Sequence, residues 1–171
     1  MNRLLLLFLC AAAFAQSGPS TMFPPVRGTR EMIGAGNNFQ VEAGWRMLTT
    51  GGNAIDAGVA GILTATVTEQ SRIGLGGEVP ILIVPAGKPA VAVSGIGTAP
   101  ALATPEFYRM RKPEVWEDTD RMSAIPSIGI RAAAVPGLFD GLMLALSTHG
   151  TKSYCEVAQP AIEAAHGFPI P

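Results

Sequence analysis

Gly51-Gly52-Asn53-Ala54-Ile55-Asp56-Ala57 ends one helix and begins another. Glycine accepts the left-handed conformation that closes helices, so Gly51 and Gly52 stop the segment before them. Asn53 is a good N-cap. Asp56, three residues on, sets a carboxylate beside the free amides and positive end of the first turn. From Ala54 to Val67 nearly every residue is small or apolar, which predicts a helix buried all round. Gly58 and Gly61 weaken a helix, so they predict close contact with another backbone.

Upstream, Phe39, Ala43, Met47 and Leu48 recur at helical spacing and predict a helix over Phe39 to Thr50. Gly36-Asn37-Asn38 turns the chain into it. Met32-Ile33-Gly34-Ala35 reads as a short buried strand. Downstream, Gly74-Leu75-Gly76-Gly77 breaks the chain. Val79 to Val84 then reads as a strand, Pro85 to Pro89 as a turn and Ala90 to Ser94 as the returning strand of a hairpin. That return strand is apolar on both faces, which predicts a sheet covered on both sides. Pro105 to Met110 suits a short helix, Lys112 to Asp120 a loop, and Ile125 to Gly129 irregular chain. Arg131 to Val135 reads as another buried strand, ended by Pro136-Gly137. Leu138 to His149 is a helix closed by Gly150. Ser153 and Glu156 form a capping box for a last helix to about His166, kinked or restarted at Pro160. The class is α/β or α+β, with sheets covered by helices.

The composition is sparse in charge. Of 171 residues, 48% are hydrophobic and 15% charged, with a formal net charge of -1; soluble domains average about 25% charged. No basic patch is present, so nucleic acid is not an expected partner. Asn2-Arg3, the apolar run Leu4 to Ala13 and Ala13-Phe14-Ala15 have the form of a signal peptide over residues 1–15. The apolar run is too short for a membrane span, and secretion or a periplasmic location is expected, with no membrane contact after cleavage. Residues 16–28, rich in Ser, Pro and Gly, read as a linker. Cys10 leaves with the leader. Cys155 then stands alone, without a disulfide partner, and reads as a small buried hydrophobe.

Four motifs in order carry a resemblance. They are Gly51 to Ala57; Val67-Thr68-Glu69 followed by Gly74-Leu75-Gly76-Gly77; Ala134-Val135-Pro136-Gly137; and Gln159-Pro160-Ala161-Ile162 with Ala165 and Gly167-Phe168. Together they resemble the γ-glutamyltranspeptidase family, over about Gly28 to Pro171. The resemblance implies the N-terminal part of a large subunit, residues 29–171. The implied fold is an incomplete portion of the four-layer αββα sandwich of N-terminal-nucleophile hydrolases. It also implies a precursor that cuts itself, and a nucleophilic threonine at the new N-terminus of a small subunit, beyond this chain. The implied partners are the remainder of the large subunit, the small subunit of the same precursor, and a small γ-glutamyl or acyl amide substrate. No cofactor or metal is implied, and no catalytic residue is assigned within the chain.

One family substrate contact falls inside the segment. An arginine pairing with the substrate α-carboxylate is implied shortly before an alanine-proline pair, here Ala99-Pro100. Ile96 stands at that position, and Gly97 where a glutamate is implied. Isoleucine cannot make the two-pronged contact. A relative that cleaves a different amide, as acylase-like members do, fits this departure. Arg72 is a candidate for supplying the missing charge. Alternatives are a secreted scaffold that has lost catalysis, or an unrelated secreted binding module. Uncovered apolar faces favour a truncated enzyme over the scaffold, and predict that residues 16–171 alone are poorly soluble or loosely packed.

Other tempting residues have plainer readings. Thr49-Thr50 sit at a helix end, ahead of the first motif. Gly74 to Gly77 lacks the lysine and hydroxyl of a P-loop and precedes a strand. Glu69 and Glu78 read as loop caps, with Glu69 partly buried. His149 and His166 suit the negative ends of helices. Trp45 and Trp116 read as packing.

Overall fold

The computed structural model describes residues 26–112 and 125–170. The leader, most of the linker, Trp116 and most of the expected loop from Lys112 lie outside the described residues. The chain divides into two units, up to Met32 and from Ile33 onward. In the first, residues 26–32 are exposed, irregular chain apart from a bend.

The second unit holds five α-helices and one hairpin among its described residues. Helix α1 is Asn38–Thr49, capped by Asn37, whose side chain accepts from the Gln40 amide at 3.1 Å. Gly51 follows at φ +86°, the left-handed conformation expected at this stop. Helix α2 is Ala54–Thr68 and opens with the Asn53/Asp56 capping box. Strands β1, Val79–Ile83, and β2, Val91–Gly95, pair antiparallel in the register Val79↔Gly95 to Ile83↔Val91. Helix α3 is Pro105–Met110, α4 is Leu138–His149 and α5 is Tyr154–Ala165. Helix α5 opens with the expected Ser153/Glu156 box and continues through Pro160.

Packing explains the small residues. Helices α1 and α2 meet through Ala43, Met47, Ala57 and Ala60, and α5 adds Val157, Ala158 and Ala161 to the same core. Gly44 of α1 lies against the Ala57 carbonyl and the Ile33 side chain. Gly61 of α2 faces the Gln40 carbonyl, 3.3 Å from where a Cβ would stand, as the sequence predicts. Gly58 does not behave so. It meets nothing, because that face of α2 opens on a cleft of about 480 Å³ toward the edge of β1. Helix α4 covers one face of the hairpin, where Ala145 meets Ile83 and Val93.

Three further expectations about the sheet are corrected. Met32 to Ala35 is not a strand: the only ladder among the described residues is β1–β2, so this segment has no hydrogen-bonding neighbour, and Ile33 packs on the core instead. Arg131 to Val135 is not a buried strand. Its exposed residues begin in a 3₁₀ turn, Ile130–Ala132, and its one β-bridge among the described residues joins Val135 to Thr98. The hairpin is not covered on both faces either. Leu82 is 70% exposed and Val84 69%, because the described helices reach only one side.

Candidate functional site

The first motif builds a polar tie. Asp56 is fully buried. Its Oδ2 accepts from the Asn53 amide and the Thr151 hydroxyl, both at 2.7 Å; its Oδ1 accepts from the amides of Thr151 at 2.9 Å and Lys152 at 3.0 Å. Asn53 Nδ2 donates to the His149 carbonyl at 2.7 Å, and Lys152 Nζ to the Thr50 carbonyl at 2.9 Å. Burial alone pushes the Asp56 carboxyl up, but the hydrogen bonds from Thr151, Asn53 and Lys152 outweigh it and hold the group below its ordinary value. The glycines follow from this crowding. A Cβ on Gly150 would lie 2.8 Å from Asp56 Oδ1, and one on Gly52 3.1 Å from Oδ2. Every acceptor of the carboxylate is occupied by a structural donor, so this motif shapes the scaffold.

The second and third motifs converge. The Gly77 carbonyl accepts from the amides of Gly137 at 3.3 Å and Leu138 at 3.0 Å, which ties the glycine turn to the start of α4. Gly137 and Gly141 leave room for β2: a Cβ on Gly137 would stand 2.7 Å from the Gly95 carbonyl oxygen, and one on Gly141 2.7 Å from Gly95 Cα. Beyond β2, Glu78 Oε1 accepts from the Gly97 amide at 3.0 Å, and the Val135 amide donates to the Thr98 carbonyl at 2.8 Å. The strip Gly95 to Pro100 is therefore gripped from both sides. Ile96 sits on it, 48% exposed, with no charge to offer. Arg72 lies exposed on the turn after α2, its amide bonded to the Glu69 carbonyl at 2.8 Å.

A cavity of about 610 Å³ opens beside this strip. Thr98, Ala99 and Pro100 form one wall, Tyr108 and Arg109 of α3 another, and the segment from Arg131 to Ala134 a third. The Tyr108 hydroxyl donates to the Arg131 carbonyl at 3.0 Å and joins two walls. Sequence reading missed this cavity. Its parts lie on three separated segments, and only the motif at Ala134 hinted that they meet.

The remaining candidates take structural places. Glu69 is half-buried, and its Oε1 accepts from Gln40 Nε2 at 2.7 Å and Asn37 Nδ2 at 3.1 Å. Glu78 is exposed and spends its oxygen on Gly97, so the two carboxylates hold different loops. The Thr49 and Thr50 hydroxyls donate back to carbonyls of their own helix. Cys155 is exposed, in the first turn of α5, which overturns its reading as a buried hydrophobe. Trp45 is 46% exposed, because α1 turns its core side toward α2 through Ala43, Gly44 and Met47. Among the described residues no three His, Cys, Asp or Glu side chains gather as metal ligands.

Comparison with known proteins bears on the convergence of these motifs. The gamma-glutamyltranspeptidase family model matches residues 41–171. The chain belongs to the gamma-glutamyltranspeptidase family. It is 36% identical over 148 residues to the Acylase ACY 1 proenzyme of Pseudomonas sp. strain SE83, covering 85% of this chain and 26% of that protein. It is 32% identical to the glutathione hydrolase proenzyme of Bacillus subtilis strain 168, covering 84% of this chain and 24% of the relative. The crystal structure of Helicobacter pylori gamma-glutamyltranspeptidase superposes with a TM-score of 0.72 at 28% identity, over 84% of this chain and 40% of that one. The chain thus spans about a quarter of the length of these curated relatives. It corresponds to the N-terminal portion of the gamma-glutamyltranspeptidase fold. Its helices and the one hairpin among the described residues are an incomplete part of that α/β sandwich.

Proposed function

We propose that this chain is the leading part of the large subunit of a secreted or periplasmic amide hydrolase of the gamma-glutamyltranspeptidase family. The observation that carries the reading is the match of most of this chain to about a quarter of a proenzyme. In this reading residues 1–15 are the leader, and residues 16–28 link it to the folded part. The attacking group is the N-terminal threonine of a small subunit released from the same precursor, with its own amine as base. The rest of the large subunit and the small subunit are the partners.

The acyl preference departs from γ-glutamyl. Ile96, exposed on the gripped strip, cannot pair with an α-carboxylate, and one relative is named an acylase. An arginine in its place would contribute a bidentate, charge-assisted contact. Arg72, exposed on the turn after α2, is the candidate cation.

The test is to express the complete gene product and follow p-nitroaniline released from hexanoyl-p-nitroanilide and γ-glutamyl-p-nitroanilide. The expected result is preference for the acyl anilide, with Ile96→Arg shifting it at least ~10-fold toward the γ-glutamyl compound. Cleavage of neither anilide by the processed protein would overturn the reading. An unchanged KM for the γ-glutamyl compound in Arg72→Ala would remove Arg72 from it.

A further inference from the structure

We infer that Glu78 is a positioning residue for acyl selectivity: its carboxylate fixes the peptide that joins Ile96 to Gly97, and so sets the direction of the Ile96 side chain. This rests on the hydrolase proposed above and on the part given there to Ile96. Two observations, one on each side of that peptide, lead there.

The first is on the N–H side. The hairpin ladder ends at Val79↔Gly95, and farther along the strip the Thr98 carbonyl accepts from the Val135 amide at 2.8 Å. Ile96 and Gly97 lie between these fixed points. The register, carried past Val79↔Gly95, sets Glu78 opposite Ile96 and Gly77 opposite Gly97. The Gly77 carbonyl is already taken by the amides of Gly137 and Leu138. Glu78 Oε1 accepts from the Gly97 amide instead, at 3.0 Å, and a charged acceptor strengthens the bond. Glu78 itself starts from a held backbone, between tied Gly77 and buried Val79.

The second is on the carbonyl side. A Cβ on Gly137 would stand 2.7 Å from both the carbonyl carbon and the carbonyl oxygen of Ile96, so the start of α4 lies against the peptide. A Cβ on Gly97 would meet Glu78 Oε1, the Ala134 Cβ and the Val135 carbonyl oxygen, each at 2.9 Å. There is no room for a side chain at 97, and glycine does little to restrict its own dihedrals. The planar peptide is therefore oriented from outside, by Glu78 on one side and Gly137 on the other. Its tilt is the ψ angle of Ile96, which relates the held peptide to the half-exposed side chain.

The complete gene product is assayed with hexanoyl- and propanoyl-p-nitroanilide. The propanoyl chain ends before the carbon that bears the α-carboxylate in a γ-glutamyl group, so it stops short of Ile96, while the hexanoyl chain passes that carbon. The ratio of the two kcat/KM values does not depend on how much of a variant is folded. Glu78→Ala should lower the hexanoyl-to-propanoyl ratio about 3- to 10-fold, through a higher hexanoyl KM at little-changed kcat, as loss of one hydrogen bond requires. Glu78→Gln keeps the accepting oxygen and should stay within ~2-fold of wild type. In an Ile96→Ala background, Glu78→Ala should change the ratio by less than ~2-fold, because it acts through Ile96. A ratio unmoved by Glu78→Ala, Glu78→Gln as damaging as Glu78→Ala, effects that add to those of Ile96→Ala, or a Glu78→Ala protein too unstable to assay would each overturn the inference and leave the hydrolase standing. A wild type that cleaves neither anilide would overturn the proposed acyl preference and this inference together.

Discussion

Replacing Asp56 tests how the scaffold is held. Asp56→Ala strands the backbone amides of Asn53, Thr151 and Lys152, and the Thr151 hydroxyl, for which no other acceptor is in place. At about 1 kcal/mol for each stranded amide, plus about 1 kcal/mol for the lost helix cap, the cost is about 4 kcal/mol, less whatever entering water restores. Asp56→Asn keeps the shape but turns an amide N–H₂ toward donors, so it should cost roughly half as much. Urea unfolding of the complete gene product, followed by circular dichroism, reads the difference as a shift in midpoint at constant slope. The acid limb gives a second reading. The folded-state pKa of Asp56 is depressed, so its contribution is full above the unfolded value of about 3.9 and is lost as pH falls through the lower folded value. Wild type should therefore lose more stability than Asp56→Asn between neutral pH and that acid range. An alanine variant within about 0.5 kcal/mol of wild type, or parallel acid limbs, would refute the account of the tie.

Two other substitutions and one reagent probe what the structure adds. Gly141→Ala puts a methyl 2.7 Å from Gly95 Cα, where backbone meets backbone and neither yields cheaply; it should destabilise by about 2–3 kcal/mol in the same urea assay. Gly58→Ala, on the open face of α2, should instead stabilise slightly, by about 0.5–1 kcal/mol, since alanine favours helix and the added methyl meets nothing. Cys155 is exposed, so this chain under native conditions should react with a thiol-specific chromogen about as fast as when unfolded in urea; protection by ten-fold or more (~10) would contradict its placement.

The helices were legible because their ends are written locally. Asn37, Gly51, Asn53, Asp56, Ser153, Glu156 and Gly167 act within a few residues of themselves, so their roles follow from neighbours in the chain. The hairpin was legible for the same reason. What failed was whatever depends on a distant partner. Met32 to Ala35 and Arg131 to Val135 are apolar enough for strands, yet a strand exists only beside another, and apolar character does not say whether one is near. Gly58 and Gly61 look alike in sequence and differ only in what lies opposite. The site was half legible. The glycine motifs marked the strip and Ile96 marked the altered contact, while the cavity needed α3 and the segment at Arg131 brought together from 23 residues apart. Asp56 was legible as a cap, but its other three donors lie on a turn 95 and 96 residues downstream.

That span has a consequence for synthesis. A ribosome adding about 5–20 residues per second needs roughly 5–20 s to go from residue 56 to residue 151. Throughout that interval the nascent helix pair emerges with a carboxylate whose later partners have not been made. Water must satisfy it, and the pair cannot settle into its final packing until the turn at Thr151 arrives. A factor that shields nascent chains would find its target in this waiting stretch, not in the finished protein.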